Sequence, residues 1–234
     1  MLAAGIGRRF GRQTRRLPKC LIPLGKPGEN LLTRYLDSFR ELGLKELLIV
    51  CGHQKEKIMR ESRKKGTGLK IHFLFNKDYR KGSILSLHRA AGELRGDCLI
   101  MDADVYFPAE ALRRLLKSRH KTCFLVDTRV KGTGEEMILM AKAGRPYSIS
   151  KKIDSSLKVL GESVGFLKIG KSDVPLLAKI LEAFVKCGKV HEEYEAAYDV
   201  LLKRRKAGYE TMDGFFWTEM DFEEDLEKIR AHIL

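Results

Sequence analysis

The sequence lacks any apolar run of the roughly 20 residues that a membrane span requires. Within its 234 residues it also lacks internal repeats, low-complexity segments and an obvious linker. No apolar signal-peptide core follows Met1, because arginines begin at Arg8. These absences predict a soluble, cytoplasmic protein with no membrane insertion, folded as one domain over residues 1–234.

Cysteine is also scarce, with five residues that are widely scattered and form no C-x-x-C pair. The spacing therefore indicates neither a zinc knuckle nor a redox motif. Four of the five lie in or beside apolar runs, which is typical of buried, reduced thiols in a cytosolic protein. The cysteines are Cys20, Cys51, Cys98, Cys123 and Cys187.

Negative charge is in short supply, and the net charge of +14 indicates a polyanionic partner such as a nucleotide, a nucleic acid or an anionic membrane face. Six cations occupy one glycine-containing loop without helical or strand periodicity, where they repel each other unless an anion gathers them. A nucleic-acid-binding domain is one alternative. We expect no nucleic-acid partner, because the aromatic residues lie mostly in apolar runs and no RNA-binding motif is present. The loop cations are Arg8, Arg9, Arg12, Arg15, Arg16 and Lys19.

Apolar runs alternate with amphipathic stretches, which predicts an α/β fold with a mostly parallel central sheet covered by helices. Helical spacing recurs over residues 31–42 and 84–94. Beyond residue 126 the pattern loosens, and a hairpin turning at Ala143–Gly144 is followed by the strand "ESVGFLKI". We therefore expect a single Rossmann-like three-layer domain with an inserted antiparallel substrate-binding part. Buried strands are predicted at Leu47–Cys51, Ile71–Phe75, Cys98–Met101 and Thr122–Val126, and late helices near Asp173–Cys187, Glu192–Lys206 and Phe222–Leu234.

Two glycines, Gly5 and Gly7, directly follow a short apolar segment that resembles the end of a buried strand. Phe10 stands where a dinucleotide fingerprint needs its third glycine, and the G-K-[ST] ending of a P-loop is missing. Glycines still let backbone N–H groups approach a phosphate closely. Arg9 and Lys19 could neutralise a triphosphate there, and a basic surface loop with turn glycines is the alternative.

Carboxylates form the second chemical pattern. Asp102 and Asp104 follow the predicted strand that ends at Met101, at the sheet edge where open α/β proteins bind ligands. Two carboxylates in such a place need a cation or hydrogen bonds, and Mg²⁺ prefers this kind of oxygen ligand. Turn formation is the alternative role for both. For Asp221 the alternative is a capping box with Glu224 at the start of the last helix.

Taken together, L-A-A-G-x-G, an arginine two residues later and P-K-x-L resemble the signature loop of the sugar-phosphate and alcohol-phosphate nucleotidyltransferases. The "LIMDADVYF", "FNKDYRKGSILSL", "GESVGFLKI" and "WTEMDFEEDL" segments resemble further parts of that family, so the likeness runs from Leu2 to Leu226. The N-x-x-Y and G-E-x-V-G patterns are most similar to the phosphocholine and inositol-1-phosphate cytidylyltransferases. Arg8 departs from the pattern, since the family usually has Ser or Thr there.

This resemblance implies a Mg²⁺-dependent transfer of a nucleotide, preferably from CTP, to a phosphorylated alcohol or sugar with release of pyrophosphate. By position, Arg9 and Lys19 resemble the catalytic cations, and Asp104 and Asp221 the metal ligands. The implied nucleotide-binding residues are Leu2, Ala3, Ala4, Gly5, Gly7, Gly52, Gly82, Ser83 and Asp102. Weaker acceptor-binding candidates are Glu162, Gly165, Glu195, Trp217 and Glu219.

The acceptor stays open between phosphocholine, inositol phosphate, aminoethylphosphonate and a sugar 1-phosphate. Trp217 and Tyr194 could contribute to an aromatic cage for a quaternary ammonium, or simply pack in the core. Asp102-Ala103-Asp104 also fits the D-x-D motif of metal-dependent glycosyltransferases, which is the alternative enzyme class. The residues indicate no oligomeric state.

Overall fold

A computed structural model describes residues 1–11, 13–64, 66, 68–130 and 132–233. Arg12 of the predicted cationic loop and Leu234 of the predicted last helix lie outside these residues. The chain divides into two compact units. The first unit comprises Met1–Arg80, Asp102–Ala109 and the chain from Phe216 onward, and the second comprises Lys81–Met101 and Glu110–Phe215.

The first unit is built on a parallel sheet in the order β1-β2-β3. Leu2 and Ala3 of β1 pair with Val50 and Cys51 of β2, so the predicted first strand is real although only two residues long. Two short antiparallel strands, β5 and β11, form a separate pair. The elements are β1 (Leu2–Ala3), α1 (Leu31–Glu41), β2 (Glu46–Cys51), α2 (Lys55–Lys64), β3 (Lys70–Phe75), β5 (Val105–Tyr106), β11 (Thr218–Glu219) and α7 (Glu223–Ile233).

Helix α1 supplies much of the core of the first unit. The Asn30 side chain accepts a hydrogen bond from the Thr33 backbone, and the Thr33 hydroxyl accepts one from the Asn30 backbone, so a complete capping box starts the helix. Tyr35 is buried, and its hydroxyl donates a 2.5 Å hydrogen bond to the Val105 carbonyl. The helix thereby fixes the position of β5, the strand that follows Asp104.

The second unit contains a sheet in the order β10-β6-β9-β7-β8, with β4 also paired to β9. Strands β10 and β6 pair in parallel, and β9 pairs antiparallel with β4, β6 and β7, as does β7 with β8. The predicted hairpin turns at Ala143 and Gly144, both of which have positive φ. The elements are α3 (Ile84–Ala91), β4 (Cys98–Met101), α4 (Ala109–Lys117), β6 (Cys123–Asp127), β7 (Ile138–Lys142), β8 (Arg145–Ser150), β9 (Lys158–Ile169), α5 (Val174–Lys186), α6 (Glu195–Arg204) and β10 (Gly208–Thr211).

The predicted α/β class, with a parallel sheet and added antiparallel strands, is confirmed. Antiparallel pairing extends further than expected, because the long strand β9 pairs with both β4 and β6. Both strands are largely buried, and a continuous apolar run does not reveal the direction of its partner. A single domain over the whole chain stays a prediction.

The cysteines carry no disulfide among the described residues. Cys20, Cys51 and Cys123 are buried, and burial raises the pKa of Cys51 to about 12 and that of Cys123 to about 11. No helix in the described part of the chain is long and apolar enough to cross a bilayer.

Candidate active site

Three carboxylates converge in the first unit because of how β5 and β11 pair. Glu219 of β11 lies opposite Val105 of β5, and the Met220 N–H donates a 2.8 Å hydrogen bond to the Asp104 carbonyl. Met220 is buried in the core, which leaves the residues on either side of it near Asp104. One carboxylate oxygen from each of Asp104, Glu219 and Asp221 lies within 4.8 Å of the others.

Lys19 bridges two of these carboxylates. Its Nζ atom lies 2.8 Å from Asp104 Oδ2 and 2.5 Å from Asp221 Oδ1, and its side chain is only 13% exposed. Burial alone would lower the pKa of Lys19, but the charges and hydrogen bonds of Asp104 and then Asp221 outweigh that effect and raise it. The ammonium group is therefore held in its charged form.

Arg9 reaches the same cluster from the glycine loop. Its Nη1 atom lies 3.0 Å from Asp221 Oδ2, and its side chain is 52% exposed. Burial alone would raise the pKa of Asp221, but Lys19 and, more weakly, Arg9 lower it below its usual range. The predicted catalytic cations and metal ligands therefore lie together as alternating charges.

The shape of the loop depends on Gly7, which has a φ of 66°. A Cβ atom at this position would lie 2.8 Å from Cγ of Lys19, so glycine also lets the lysine pass close to the loop backbone. The next turn, Arg8–Phe10, is anchored by Phe10, which is 1% exposed. The loop therefore carries two exposed arginines, Arg8 and Arg9, close to the largely buried Lys19.

Thr14 and His53 hold this loop and were not among the predicted site residues. The buried Thr14 hydroxyl donates to the carbonyl of Gly7 at 2.8 Å, and the Thr14 carbonyl lies 2.8 Å from His53 Nε2. The backbone N–H of His53 donates a hydrogen bond to the Ala4 carbonyl. His53 therefore connects the loop to the segment that ends at Ala4.

The capping box predicted between Asp221 and Glu224 is wrong in its partners. The Asp221 side chain faces Lys19 and Arg9, and helix α7 begins at Glu223, so its third residue is Asp225. Asp225 Oδ2 accepts hydrogen bonds from the backbone N–H groups of Asp221 and Phe222. The cap leaves the Asp221 carboxylate free for the charged cluster.

A cavity of about 270 Å³ opens at this cluster. The backbone of the glycine loop forms part of its wall, and five charged side chains line it as well. Four predicted nucleotide-binding residues contribute to the lining: Leu2, Ala3, Gly5 and Gly7. The charged residues are Arg8, Arg9, Lys19, Asp104 and Asp221.

Other predicted residues of the first unit support the backbone near this cavity. Asp102 forms a parallel bridge with Leu2. A Cβ atom on Gly52 would lie 2.5 Å from the Ala4 carbonyl oxygen, so Gly52 allows two chain segments to approach closely. Trp217 is half-buried just before β11. None of Ala4, Gly52, Asp102 and Trp217 is part of the described cavity lining.

The predicted nucleobase residues, Gly82 and Ser83, belong to the second unit. A Cβ atom on Gly82 would lie 2.1 Å from the Glu192 carbonyl oxygen. The Ser83 hydroxyl accepts a 3.0 Å hydrogen bond from the Tyr194 N–H. Tyr194 is buried against Tyr198, so it packs in the core of this unit.

Three acceptor candidates also lie in the second unit. Glu162 is half-buried on β9, opposite Asp127, and Gly165 takes a φ of 78° where the pairing of β9 with β6 is irregular. Glu195 is the first residue of α6, and burial raises its pKa to about 7. Their roles in binding an acceptor stay predictions.

The donor set of Asp104, Glu219 and Asp221 fits a divalent metal ion. Three carboxylates offer hard oxygen ligands, which suit Mg²⁺. Their grouping within 4.8 Å concentrates negative charge, which Lys19 offsets at Asp104 and Asp221 and Arg9 offsets at Asp221. The residues present could therefore hold the ion that such transfer reactions use.

Solved structures share this architecture. Inositol-1-phosphate CTP transferase from T. maritima superposes with a TM-score of 0.79 at 17% identity, covering 99% of this chain and 94% of that one. CTP:phosphocholine cytidylyltransferase from Streptococcus pneumoniae gives 0.77 at 17% identity, covering 100% and 97%. This chain therefore shares its fold with both transferases.

The sequence profile of the MobA-like NTP transferase domain matches residues 1–163. The chain belongs to this family, which confirms the resemblance drawn from the loop motifs. A curated relative, CMP-5'-(3-aminopropyl)phosphonate synthase from Streptomyces rubellomurinus, is 34% identical over 116 residues, which are 49% of this chain and 18% of that protein. The chain spans about half the length, or less, of the curated relatives it matches.

Proposed function

We propose that this chain is a Mg²⁺-dependent cytidylyltransferase that acts in the cytoplasm. It transfers CMP from CTP to a small phosphorylated alcohol or a phosphonate and releases pyrophosphate. The observation that carries the proposal is the cluster in which Lys19 and Arg9 meet Asp104 and Asp221 beside a glycine-walled cavity. The CTP or CMP chemistry named for three similar proteins supports the choice of nucleotide.

The reaction is a single in-line displacement. An acceptor phosphate or phosphonate oxygen forms a bond to the α-phosphorus of CTP, and the bond from that phosphorus to the bridging oxygen breaks. Pyrophosphate leaves with the bonding electron pair. The acceptor oxygen is already largely ionised near neutral pH, so the protein needs no general base, and positioning and charge provide the catalysis.

The loop cations neutralise the triphosphate. Lys19 and Arg9 exchange their carboxylate partners for phosphate oxygens, and their fixed charge stabilises the negative charge that builds on the leaving pyrophosphate. Asp104 and Asp221, with Glu219 beside them, would hold Mg²⁺. When bound there, the ion would supply positive charge to phosphate oxygens, as magnesium does in phosphoryl-transfer enzymes.

The remaining predicted residues have supporting roles under this proposal. Gly5 and Gly7 bring backbone N–H groups to the phosphates, and Gly82 and Ser83 border the nucleobase. Glu162, Gly165 and Glu195 contribute to acceptor binding, with Trp217 and Glu219 as further contacts. Phosphocholine, inositol 1-phosphate, short amino-phosphonates and sugar 1-phosphates are the acceptors to compare, and a sugar-1-phosphate enzyme is the alternative within the family.

Pyrophosphate release tests the proposal. The purified chain is incubated with Mg²⁺, one nucleotide (ATP, GTP, CTP, UTP or dTTP) and one acceptor at a time, and pyrophosphate is measured. We expect release that needs both CTP and one acceptor class. Release with UTP or dTTP and a sugar 1-phosphate would identify the chain as a sugar-1-phosphate nucleotidyltransferase. If no pair of nucleotide and acceptor released pyrophosphate, the proposed transferase activity would be contradicted.

The D-x-D pattern of Asp102-Ala103-Asp104 leaves a glycosyltransferase as the second candidate. Only Asp104 of the two aspartates joins the carboxylate cluster, which favours nucleotidyl transfer. The same incubation decides between them when a nucleotide-sugar replaces the NTP. A glycosyltransferase would release a nucleoside diphosphate from the nucleotide-sugar and no pyrophosphate from an NTP.

A further inference from the structure

Arg8 occupies a place in the cavity that the family pattern does not explain. It lies between Gly7, with its left-handed backbone, and Arg9, and it lines the cavity together with the cations already discussed. Phe10 anchors the turn in the core, so Arg8 is held at the cavity wall by a fixed backbone. Its side chain is exposed to solvent.

The guanidinium group of Arg8 differs from the other cavity cations in its partners. Arg9 pairs with Asp221, and Lys19 pairs with both cavity aspartates. Within the described chain, no carboxylate, hydroxyl or carbonyl group bonds to the Arg8 guanidinium group. The cavity therefore holds three cations but only two lining acids, and the unbalanced positive charge is that of Arg8.

The chemistry of the arginine side chain indicates which kind of ligand the charge of Arg8 can bind. A serine or threonine, usual here in the resembling family, offers a single hydroxyl group. Arginine carries a permanent charge and five N–H donors in a planar arrangement that matches phosphate oxygens. A permanently charged group that lines a cavity and has no internal partner is suited to an anionic ligand.

We propose that Arg8 binds the polyphosphate part of the nucleotide and sets the affinity of the enzyme for NTP and pyrophosphate. The inference rests on the proposed function, because it assigns a further residue to the same site. Arg8 contacts the ligand in the ground state as well as during transfer. Its removal is therefore expected to raise the KM for the NTP more than it lowers kcat.

The expected effect follows from the loss of charge-assisted hydrogen bonds. Arg8→Ser should weaken the binding of pyrophosphate and of CTP by about tenfold, the lower part of the range for hydrogen bonds to charged groups. CMP lacks the two outer phosphates, so its affinity should change by less than about twofold. Arg8→Lys should recover part of the loss, since lysine keeps the charge but not the planar donors.

Isothermal titration calorimetry on the full chain provides the test. Pyrophosphate, CTP and CMP are titrated into the parent, Arg8→Ser, Arg8→Lys and Arg60→Ser. Arg60 is an exposed arginine on α2 outside the cavity lining, so its variant has the same change of charge without the proposed contact. We expect the loss of affinity only in the Arg8 variants, with Arg8→Ser the weakest.

Several results would overturn the inference. They are pyrophosphate binding by Arg8→Ser within twofold of the parent, an equal loss in Arg60→Ser, an equal loss for CMP, and no pyrophosphate binding by the parent. The proposed function fails separately. If pyrophosphate binding depends on Arg8 but no NTP and acceptor pair reacts, the contact stands and the transferase activity does not.

Discussion

The candidate residues of the two units are held in different ways. In the first unit, side chains hold side chains: Lys19 bridges Asp104 and Asp221, and Arg9 joins them. In the second unit, Gly82 and Ser83 are fixed mainly by backbone groups of the segment 190–194. The difference indicates that substitutions in the first unit act on chemistry, whereas those at Gly82 act on folding.

Removing the carboxylate of Asp104 should have the largest effect. Asp104→Asn keeps the size of the side chain but removes one charge from the metal-ligand cluster. We expect the rate of pyrophosphate release to fall on the order of 10²–10³-fold, as for the loss of one stabilising group in other active sites. The free energy of unfolding should change little by comparison.

Glu224→Gln is the matched control for that variant. Glu224 is an exposed acid in the first turn of α7 and lies outside the carboxylate cluster. Pyrophosphate release and urea denaturation are measured on both proteins. If Asp104→Asn kept the parental rate, or if Glu224→Gln lost as much, the division between chemistry and folding would not hold.

Replacing Lys19 is a second test of the first unit, because its ammonium group contacts both Asp104 and Asp221. Lys19→Met should slow transfer by about 10²-fold. The same variant should bind Mn²⁺ more tightly without nucleotide, by about tenfold, since the ammonium group no longer competes for Asp104 and Asp221. The dissociation constant for Mn²⁺ is read by electron paramagnetic resonance.

The control for the lysine variant is Lys26→Met, an exposed lysine of the same unit. It should leave both the rate and the Mn²⁺ affinity at parental values. Unchanged or weaker Mn²⁺ binding by Lys19→Met would mean that the lysine does not compete with the metal ion.

Gly82→Ala tests whether position 82 in the second unit affects folding. The added Cβ atom would lie 2.1 Å from the Glu192 carbonyl oxygen, so the backbone must shift. We expect the free energy of unfolding to fall by about 1–3 kcal/mol, the usual effect of overpacking. Urea denaturation measures the change, and activity is measured where both proteins are folded.

Gly92→Ala is the paired control, because no heavy atom lies within 4 Å of a Cβ atom built there. Its stability should stay within about 1 kcal/mol of the parent, with a gain favoured by the lower entropy of the unfolded chain. Equal stability of Gly82→Ala and the parent would show that the close approach at residue 192 does not constrain position 82.

The smallest expected effect is a pH-dependent change in the free energy of unfolding when Glu195 is replaced. Burial raises its pKa to about 7, above the usual value near 4.5, so the folded state binds this proton more strongly than the unfolded state does. The free energy of unfolding contributed by Glu195 therefore falls as pH rises through the interval from about 4.5 to 7. Glu195→Gln removes this dependence.

Denaturation at pH 5 and pH 8 measures the effect. The stability of Glu195→Gln relative to the parent should be higher at pH 8 than at pH 5. Glu192→Gln, at an exposed acid of the same unit, should show no such difference. A pH-independent difference for Glu195→Gln would contradict the raised pKa.

Local patterns predicted the fold well where the signal lies within a few residues. The apolar spacing of α1 and the turn at Ala143–Gly144 both appear as expected. Partner choice between distant strands could not be predicted in the same way. Strand β9 pairs with both β4 and β6, and no feature of those apolar runs reveals the direction of pairing.

The candidate site was likewise predicted where the signal is local, and was not predicted where it depends on the pairing of distant strands. The loop motif indicated Arg9 and Lys19 as catalytic cations, and the motifs around Asp104 and Asp221 indicated these two aspartates as metal ligands. Direct contact between Lys19 and both acids depends on the pairing of β5 with β11, which residue spacing does not reveal. Thr14 was missed because one threonine in a basic loop carries no distinguishing pattern.

The fate of the nucleotide tests nucleotidyl transfer most directly. The chain is incubated with Mg²⁺, CTP and the acceptor that supports pyrophosphate release, and ³¹P NMR follows every phosphorus-containing product. We predict pyrophosphate and a CMP–acceptor conjugate in a one-to-one ratio, with neither formed when the acceptor is omitted. Formation of CDP, or of free CMP in place of the conjugate, would contradict nucleotidyl transfer.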